Sequence, residues 1–192
     1  MTESLKTRWL RVQILAILFF MTVAAGAEFA MGRRPWGIAG IPGLWSGSIW
    51  SEHNSQYFLD PYSFTHVLHG VVFYALLSLA FRNMPVISRL VIAVGLEAGW
   101  EVLENSTLII ERYRAETISL NYFGDSIVNS MGDILSCITG FVLASRLPVR
   151  VTIIGLIAVE VLLAILIRDN LTLNLVMLIH PSHAIRMWQL GH

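Results

Sequence analysis

His66, His69, Glu97, Glu101, Glu104, Asp125 and Asp133 are the side chains of this 192-residue chain best suited to chemistry, and each lies in or beside an apolar run. His66 and His69 are three residues apart and share a face if the segment is helical. Glu97, Glu101 and Glu104 fall at i, i+4, i+7, a single stripe, and Asp125, Asn129 and Asp133 at i, i+4, i+8, another. Imidazoles with several carboxylates form a ligand set for a borderline divalent cation such as zinc, and His66, His69, Glu97, Glu101, Asp125 and Asp133 are the candidate ligands. The same residues suit metal-free acid–base chemistry, because crowded carboxylates raise one another's proton affinity and a neighbouring histidine can act as base. They also suit a third role, a polar network that fixes helix partners. The spacing E-x3-E-x2-E is not the Glu-x-x-His pattern of di-iron bundles, and HVLH is not H-E-x-x-H, so the motifs do not choose among the three.

The elements that must position these groups are membrane helices. The chain is 55% hydrophobic and 14% charged, with a mean hydropathy of +0.65, whereas a soluble domain carries charge on about a quarter of its residues. The expected architecture is an all-α integral membrane protein, one domain over 1–192. Its five-helix transmembrane bundle spans roughly 12–31, 64–82, 86–106, 126–146 and 150–168. Each stretch approaches the ~20 residues that cross ~30 Å of hydrocarbon. The stretch 170–180 is too short to cross and reads as an interfacial or re-entrant helix. The first stretch has a basic start and AGA at 25–27, as a cleaved signal peptide does, but its apolar run continues to Met31 and favours a retained helix.

Basic residues set the orientation. With the N-terminus cytoplasmic, seven Lys/Arg lie inside, all in short segments, and six outside. This places the N-terminus in the cytoplasm and the C-terminus in the periplasm of a bacterial inner membrane. His66 and His69 then lie near the outer end of the second span, opened by Asp60 or Ser63 as cap and Pro61 in the first turn. The glutamate stripe and the Asp125 stripe reach the same level, so ionisable groups converge toward the outer leaflet. A carboxylate facing lipid costs roughly 2.5–3.5 kcal/mol, which a shared hydrated pocket avoids. Glu28, near the outer end of the first span, can join it. The Trp-rich loop 32–60 is either an interfacial belt or a lid over the pocket.

Other polar residues lie outside the stripes. Arg112 and Arg114, in an outer loop, either hold a phosphate headgroup or pair with Glu111 and Glu116. Glu160 must face the bundle. Arg168 and Asp169 read as a pair at a helix end, Cys137 as a buried thiol, and His180, His183 and His192 as interfacial or solvated. A net charge of zero argues against a nucleic-acid partner. A transporter fits poorly, since the inner half is almost free of ionisable groups apart from Glu160.

The runs LWSGSIWSEHNSQYFLDPYSFTHVLHGVVFY (44–74), EAGWEVLENSTLIIERYR (97–114), ISLNYFGDSIVNSMGDILSCITGF (118–141) and RDNLTLNLVML (168–178) resemble a family of bacterial inner-membrane proteins of unknown function, largely alphaproteobacterial. The resemblance covers nearly the whole chain and implies class and compartment, not activity. A looser likeness is to VanZ-like envelope proteins, with Asp60 and His66, then Glu97 or Glu101, then Asp125-x3-Asn129-x2-Gly132 in matching order. The Asp-to-His spacing is longer than usual there, and the Gln-containing turn after the Glu is absent. The expected function is a periplasm-facing polar site that binds or acts on a lipid-like or lipid-linked envelope ligand. His66, Glu101, Glu104 and Asp125 would be catalytic, and Arg112, Arg114 and Asn129 would bind substrate. The alternative is a non-catalytic accessory protein.

Overall fold

The computed structural model describes residues 3–191, which among themselves form eight α-helices and no sheet. The helices are α1 (Glu3–Ala30), α2 (Ser63–Ala80), α3 (Val86–Glu104), α4 (Thr107–Glu116), α5 (Ile127–Arg146), α6 (Val149–Leu166), α7 (Leu171–Ile179) and α8 (His183–Leu190). Local chemistry fixes several of their starts. Pro85 and Pro148 immediately precede α3 and α6, where a missing N–H costs nothing. Side chains of Ser106, Ser126 and Asn170 accept backbone N–H groups at the starts of α4, α5 and α7. The carboxylate of Asp60 accepts from the N–H of Tyr62 (2.8 Å) and of Ser55 (2.7 Å), so it braces the turn before α2 rather than capping from within it.

Two helices fall where the sequence reads as loop or interface. Residues 107–116 alternate apolar and charged side chains, which lowers their hydropathy without lowering helix propensity, and the Ser106 cap starts α4 there. α8 buries Gln189 while leaving Trp188 exposed. α1 begins at Glu3, well before the apolar run at 12, because its polar first turns are good helix formers.

Among the described residues, four helical segments are long and apolar enough to cross a membrane: Leu5–Ala30, Ser63–Ala80, Ile127–Arg146 and Val149–Leu166. The nineteen residues of α3 have spanning length but carry Arg89, Glu97, Glu101 and Glu104, so by composition alone the count is four rather than five. α6 exposes apolar side chains almost all round, with Leu163 its buried residue.

At the centre α2 packs closely on α5 through reciprocal glycines. A methyl group added at Gly70 would sit 1.9 Å from the carbonyl oxygen of Cys137, and one at Gly140 1.9 Å from that of Val67. Small residues let the two backbones touch, the arrangement that holds helices together without help from water. α3 lies between α1, α2 and α5. Ala24, Leu90, Ala93, Val94, Ile134 and Phe141 fill the apolar core below the polar residues, with Tyr74 edge-on to Phe141 at 5.2 Å. Cys137 is buried with a free thiol.

The connection from α1 to α2 folds across the start of α5. Carbonyls of Arg34, Pro35 and Ser55 accept the N–H groups of Ile127 (2.8 Å), Val128 (3.1 Å) and Ser126 (2.9 Å). They thereby satisfy the orphan donors of a helix N-terminus. α7 is tied in the same way: Glu160 on α6 accepts from Leu171 N–H (3.0 Å) and Thr172 N–H (3.2 Å), so the acid near the middle of the last span caps the helix that follows it. Arg168 and Asp169 do not pair. Arg168 donates to the carbonyl of Trp188, while buried Asp169 accepts from Tyr62, Gln189 and the N–H of Asn170, joining α2, α7 and α8. His180 and His183 are exposed, and His192 lies outside the described residues.

Candidate functional site

His66 stands one turn into α2 with acids of α3 and α5 on both sides. Its Nδ1 lies 2.6 Å from Glu97 Oε1 and 3.3 Å from Glu101 Oε1, and its Nε2 lies 3.9 Å from Asp133 Oδ2. His69, one turn further along α2, meets both oxygens of Glu97 at 3.1 Å. Glu97 and Glu101 are fully buried, Asp133 and His66 nearly so. His66, His69 and Glu97 form one group with ligand atoms within 4.8 Å of one another, and His66, Glu101 and Asp133 form a second sharing the same imidazole.

The carboxylates outnumber their donors. Glu97 accepts from both histidines, but neither oxygen of Glu101 and not Oδ1 of Asp133 meets a donor. A buried, unpaired carboxylate costs several kcal/mol unless a proton or cation joins it. The cluster therefore holds more buried carboxylate oxygens than side-chain donors to meet them.

Asp125 lies apart from this group, just before α5. Its Oδ2 accepts from the hydroxyl of Tyr122 (2.8 Å) and from Asn105 Nδ2 (3.1 Å), and its N–H donates to Asn105 Oδ1 (2.7 Å). Burial pushes its carboxyl up to about 6, against the pull of Tyr122. Burial likewise raises Tyr122 and Asp60 above their ordinary ranges. Asn105 also reaches the carbonyl of Glu101 (3.0 Å) and Ser130 Oγ (3.3 Å), so one amide joins α3, α5 and the Asp125 turn. Gly124 makes this possible: its φ is +88°, and a methyl there would collide with Asn105 and Arg33.

A cavity of about 810 Å³ opens over these groups. Its wall includes His66, His69, Glu104, Asp125 and Asp133, the aromatic rings of Trp100 and Tyr113, and Arg33, Arg34 and Trp50 of the first loop. Glu104 lines the cavity, half-buried, one turn beyond Glu101 on the same stripe and outside the two groups of ligand atoms that share His66. Asn129 lines the cavity while its amide donates to the carbonyl of Tyr57 (2.8 Å), holding the loop in place.

Arg112 and Arg114 are not brought to the cavity wall. Arg112 Nε donates to the carbonyl of Leu178 and its guanidinium lies 3.7 Å from Glu116, while Arg114 Nε donates to Tyr122 and stacks on Phe123. The helical geometry of α4 aims both at backbone carbonyls. The cationic side chains on the wall are Arg33 and Arg34. Asn105 and Arg33 carry no distinct signal in the sequence, although Asn105 falls four residues past Glu101 and so continues the buried stripe.

A family model described as "Protein of unknown function (DUF2585)" matches residues 28–191. The chain is similar to a UPF0314 protein of Brucella anthropi, 46% identical over 177 residues, 92% of this chain and 90% of the relative. A UPF0314 protein of Rhizobium etli is 45% identical over 94% of this chain and 91% of its own length, and one of Paracoccus denitrificans 49% identical over 88% and 89%. No solved structure matches. With the match covering most of the chain, the protein belongs to this alphaproteobacterial family, DUF2585 or UPF0314, whose function is unknown.

Proposed function

We propose that the protein is a bacterial inner-membrane protein with its N-terminus cytoplasmic, its C-terminus periplasmic, and α3 as a fifth span. The burial of Arg89, Glu97 and Glu101 against other helices supports the fifth span, since a helix can cross if its charges face protein rather than lipid. The cavity then opens toward the periplasm at outer-leaflet depth. It binds a divalent cation such as zinc at His66, His69, Glu97, Glu101 and Asp133, and acts on a lipid-like or lipid-linked envelope ligand in the space above. The observation that carries the metal is the excess of buried carboxylate oxygens around His66 over donors to satisfy them. Such an ion polarises an ester or phosphoryl oxygen. Glu104 and Asp125, which line the cavity, take up or deliver a proton in this reading, and the order of Asp60, His66, Glu97 and Asp125 matches that of VanZ-like proteins although the Asp-to-His spacing is longer and the Gln-containing turn is absent.

One set of contacts favours the accessory reading: Arg112, Arg114 and Asn129 are engaged with backbone carbonyls and have little left to offer a ligand. The test is elemental analysis of detergent-purified protein together with thermal unfolding before and after chelation. The proposal expects about one zinc-type ion per chain, a melting temperature lowered by chelator, and loss of both in His66→Ala. Wild-type protein without stoichiometric metal, indifferent to chelator and to added zinc, removes the metal centre and leaves the accessory role.

A further inference from the structure

Tyr113 in α4 and Tyr122 in the connection to α5 stand edge to face in the cavity wall, with ring centroids 5.3 Å apart and planes at 77°. Both hydroxyls are occupied: Tyr113 donates to Asn174 Oδ1 (3.1 Å) and Tyr122 to Asp125 Oδ2 (2.8 Å). Asp125 Oδ2 also accepts from Asn105 Nδ2, whereas its Oδ1 takes no donor from the described residues. A carboxylate is thus held in advance beside a right-angled pair of aromatic rings, and all three side chains line one cavity. Arg33 and Arg114 reach this stretch of chain, but they donate to the carbonyls of Phe123 and Tyr122. Among the described residues neither forms an ion pair with a carboxylate.

Perpendicular aromatic rings with an adjoining carboxylate are the chemistry that recognises an ammonium group, the rings through their negative faces and the carboxylate through its full charge. The whole wall carries five carboxylates against two guanidiniums, so charge complementarity also calls for a positive group. One of the two, Arg34, is exposed and has no acid partner among the described residues. Its carbonyl accepts from the N–H of Ile127 (2.8 Å), which fixes its backbone beside the residue two past Asp125. A guanidinium so placed suits a phosphate. Trp50, Leu120 and Phe123 line the same cavity yet stay at least half exposed, an apolar edge on a polar pocket. Ammonium, phosphate and hydrocarbon occur together in a zwitterionic phospholipid. The geometry points to that ligand class: the ammonium group at Tyr113, Tyr122 and Asp125, the phosphate at Arg34, and the acyl chains leaving past Trp50, Leu120 and Phe123. This rests on reading the cavity as the site of an envelope amphiphile, but it does not need the metal.

Native mass spectrometry tests it on the full-length protein, released from maltoside micelles after mixing with equal amounts of phosphatidylethanolamine and phosphatidylglycerol of the same acyl chains. One phosphatidylethanolamine per chain should be retained, in preference to phosphatidylglycerol by about tenfold or more. The preference should vanish in Asp125→Asn and in Tyr113→Leu, and survive in Tyr113→Phe, which keeps the ring. Arg34→Gln should weaken retention of both lipids. Preference for phosphatidylglycerol overturns the inference and leaves the amphiphile reading standing, whereas retention of neither lipid overturns both. Displacement of the lipid by an equal amount of free phosphoethanolamine also overturns it, by making the ligand a soluble headgroup. Should Asp125→Asn and Tyr113→Leu fail to fold, Arg34→Gln decides, because its side chain is exposed: unchanged retention sinks the proposal.

Discussion

Neighbouring acids in this protein have opposite energetic meaning, and the difference is which of them has donors. Glu97 holds two histidines, so Glu97→Ala strands both and is expected to lower unfolding stability by about 3–5 kcal/mol. Glu101 accepts nothing in its buried position. In chelator-treated protein Glu101→Gln is therefore expected to raise stability by about 1 kcal/mol or more while weakening zinc binding at least tenfold. Denaturant melts of the two variants, with and without zinc, check both signs. Asp169 offers a pH test outside the spans, since burial raises its carboxyl to about 6 against the donors that surround it. A raised carboxyl means the folded chain holds a proton that the unfolded chain releases. Stability then falls as pH rises from about 4 to about 6, by up to about 1.4 kcal/mol per pH unit, and levels off above. Asp169→Asn should flatten that part of the melting-temperature profile.

At the scale of elements, the α2–α5 seam decides where the acids meet the histidines. A methyl at Gly140 points into the carbonyl of Val67, and backbone cannot move aside as a side chain can. Gly140→Ala is expected to cost at least about 3 kcal/mol or to abolish folding. Gly155 on α6, with nothing within 4 Å of an added methyl, should tolerate alanine and gain up to about 1 kcal/mol from lower backbone entropy. Comparing the two by yield and melting temperature separates a packing requirement from a mere preference for small residues.

The whole molecule is a helical bundle with one polar end roofed by a loop that is hydrogen-bonded to α5. The proposed orientation puts that roof in the periplasm. Cysteines introduced one at a time at Trp50 and Arg82 report it, because the native Cys137 is buried. Membrane-impermeant maleimide added to intact spheroplasts should label Trp50→Cys and spare Arg82→Cys until the membrane is opened. The reverse pattern inverts the topology and moves the cavity to the cytoplasm.

Composition and periodicity determined that the chain is helical and membrane-like, and placed the starts of α2, α3, α5 and α6 within about a residue, because apolar length and Pro or Ser caps are local signals. They also showed the three polar stripes, since i, i+4 spacing puts residues on one face whatever surrounds the helix. Local signals could not say which stripes touch. That His66 sits between Glu97 and Asp133 depends on the helix crossing set by Gly70 and Gly140, and that Arg112 and Arg114 turn to the carbonyls of Leu178 and Tyr122 depends on how α4 packs, neither of which is a local signal. The partnering of Glu160 with α7 follows from a chain reversal that no local signal announces. Burial cost fixes that each acid must find shelter, and packing geometry alone decides where.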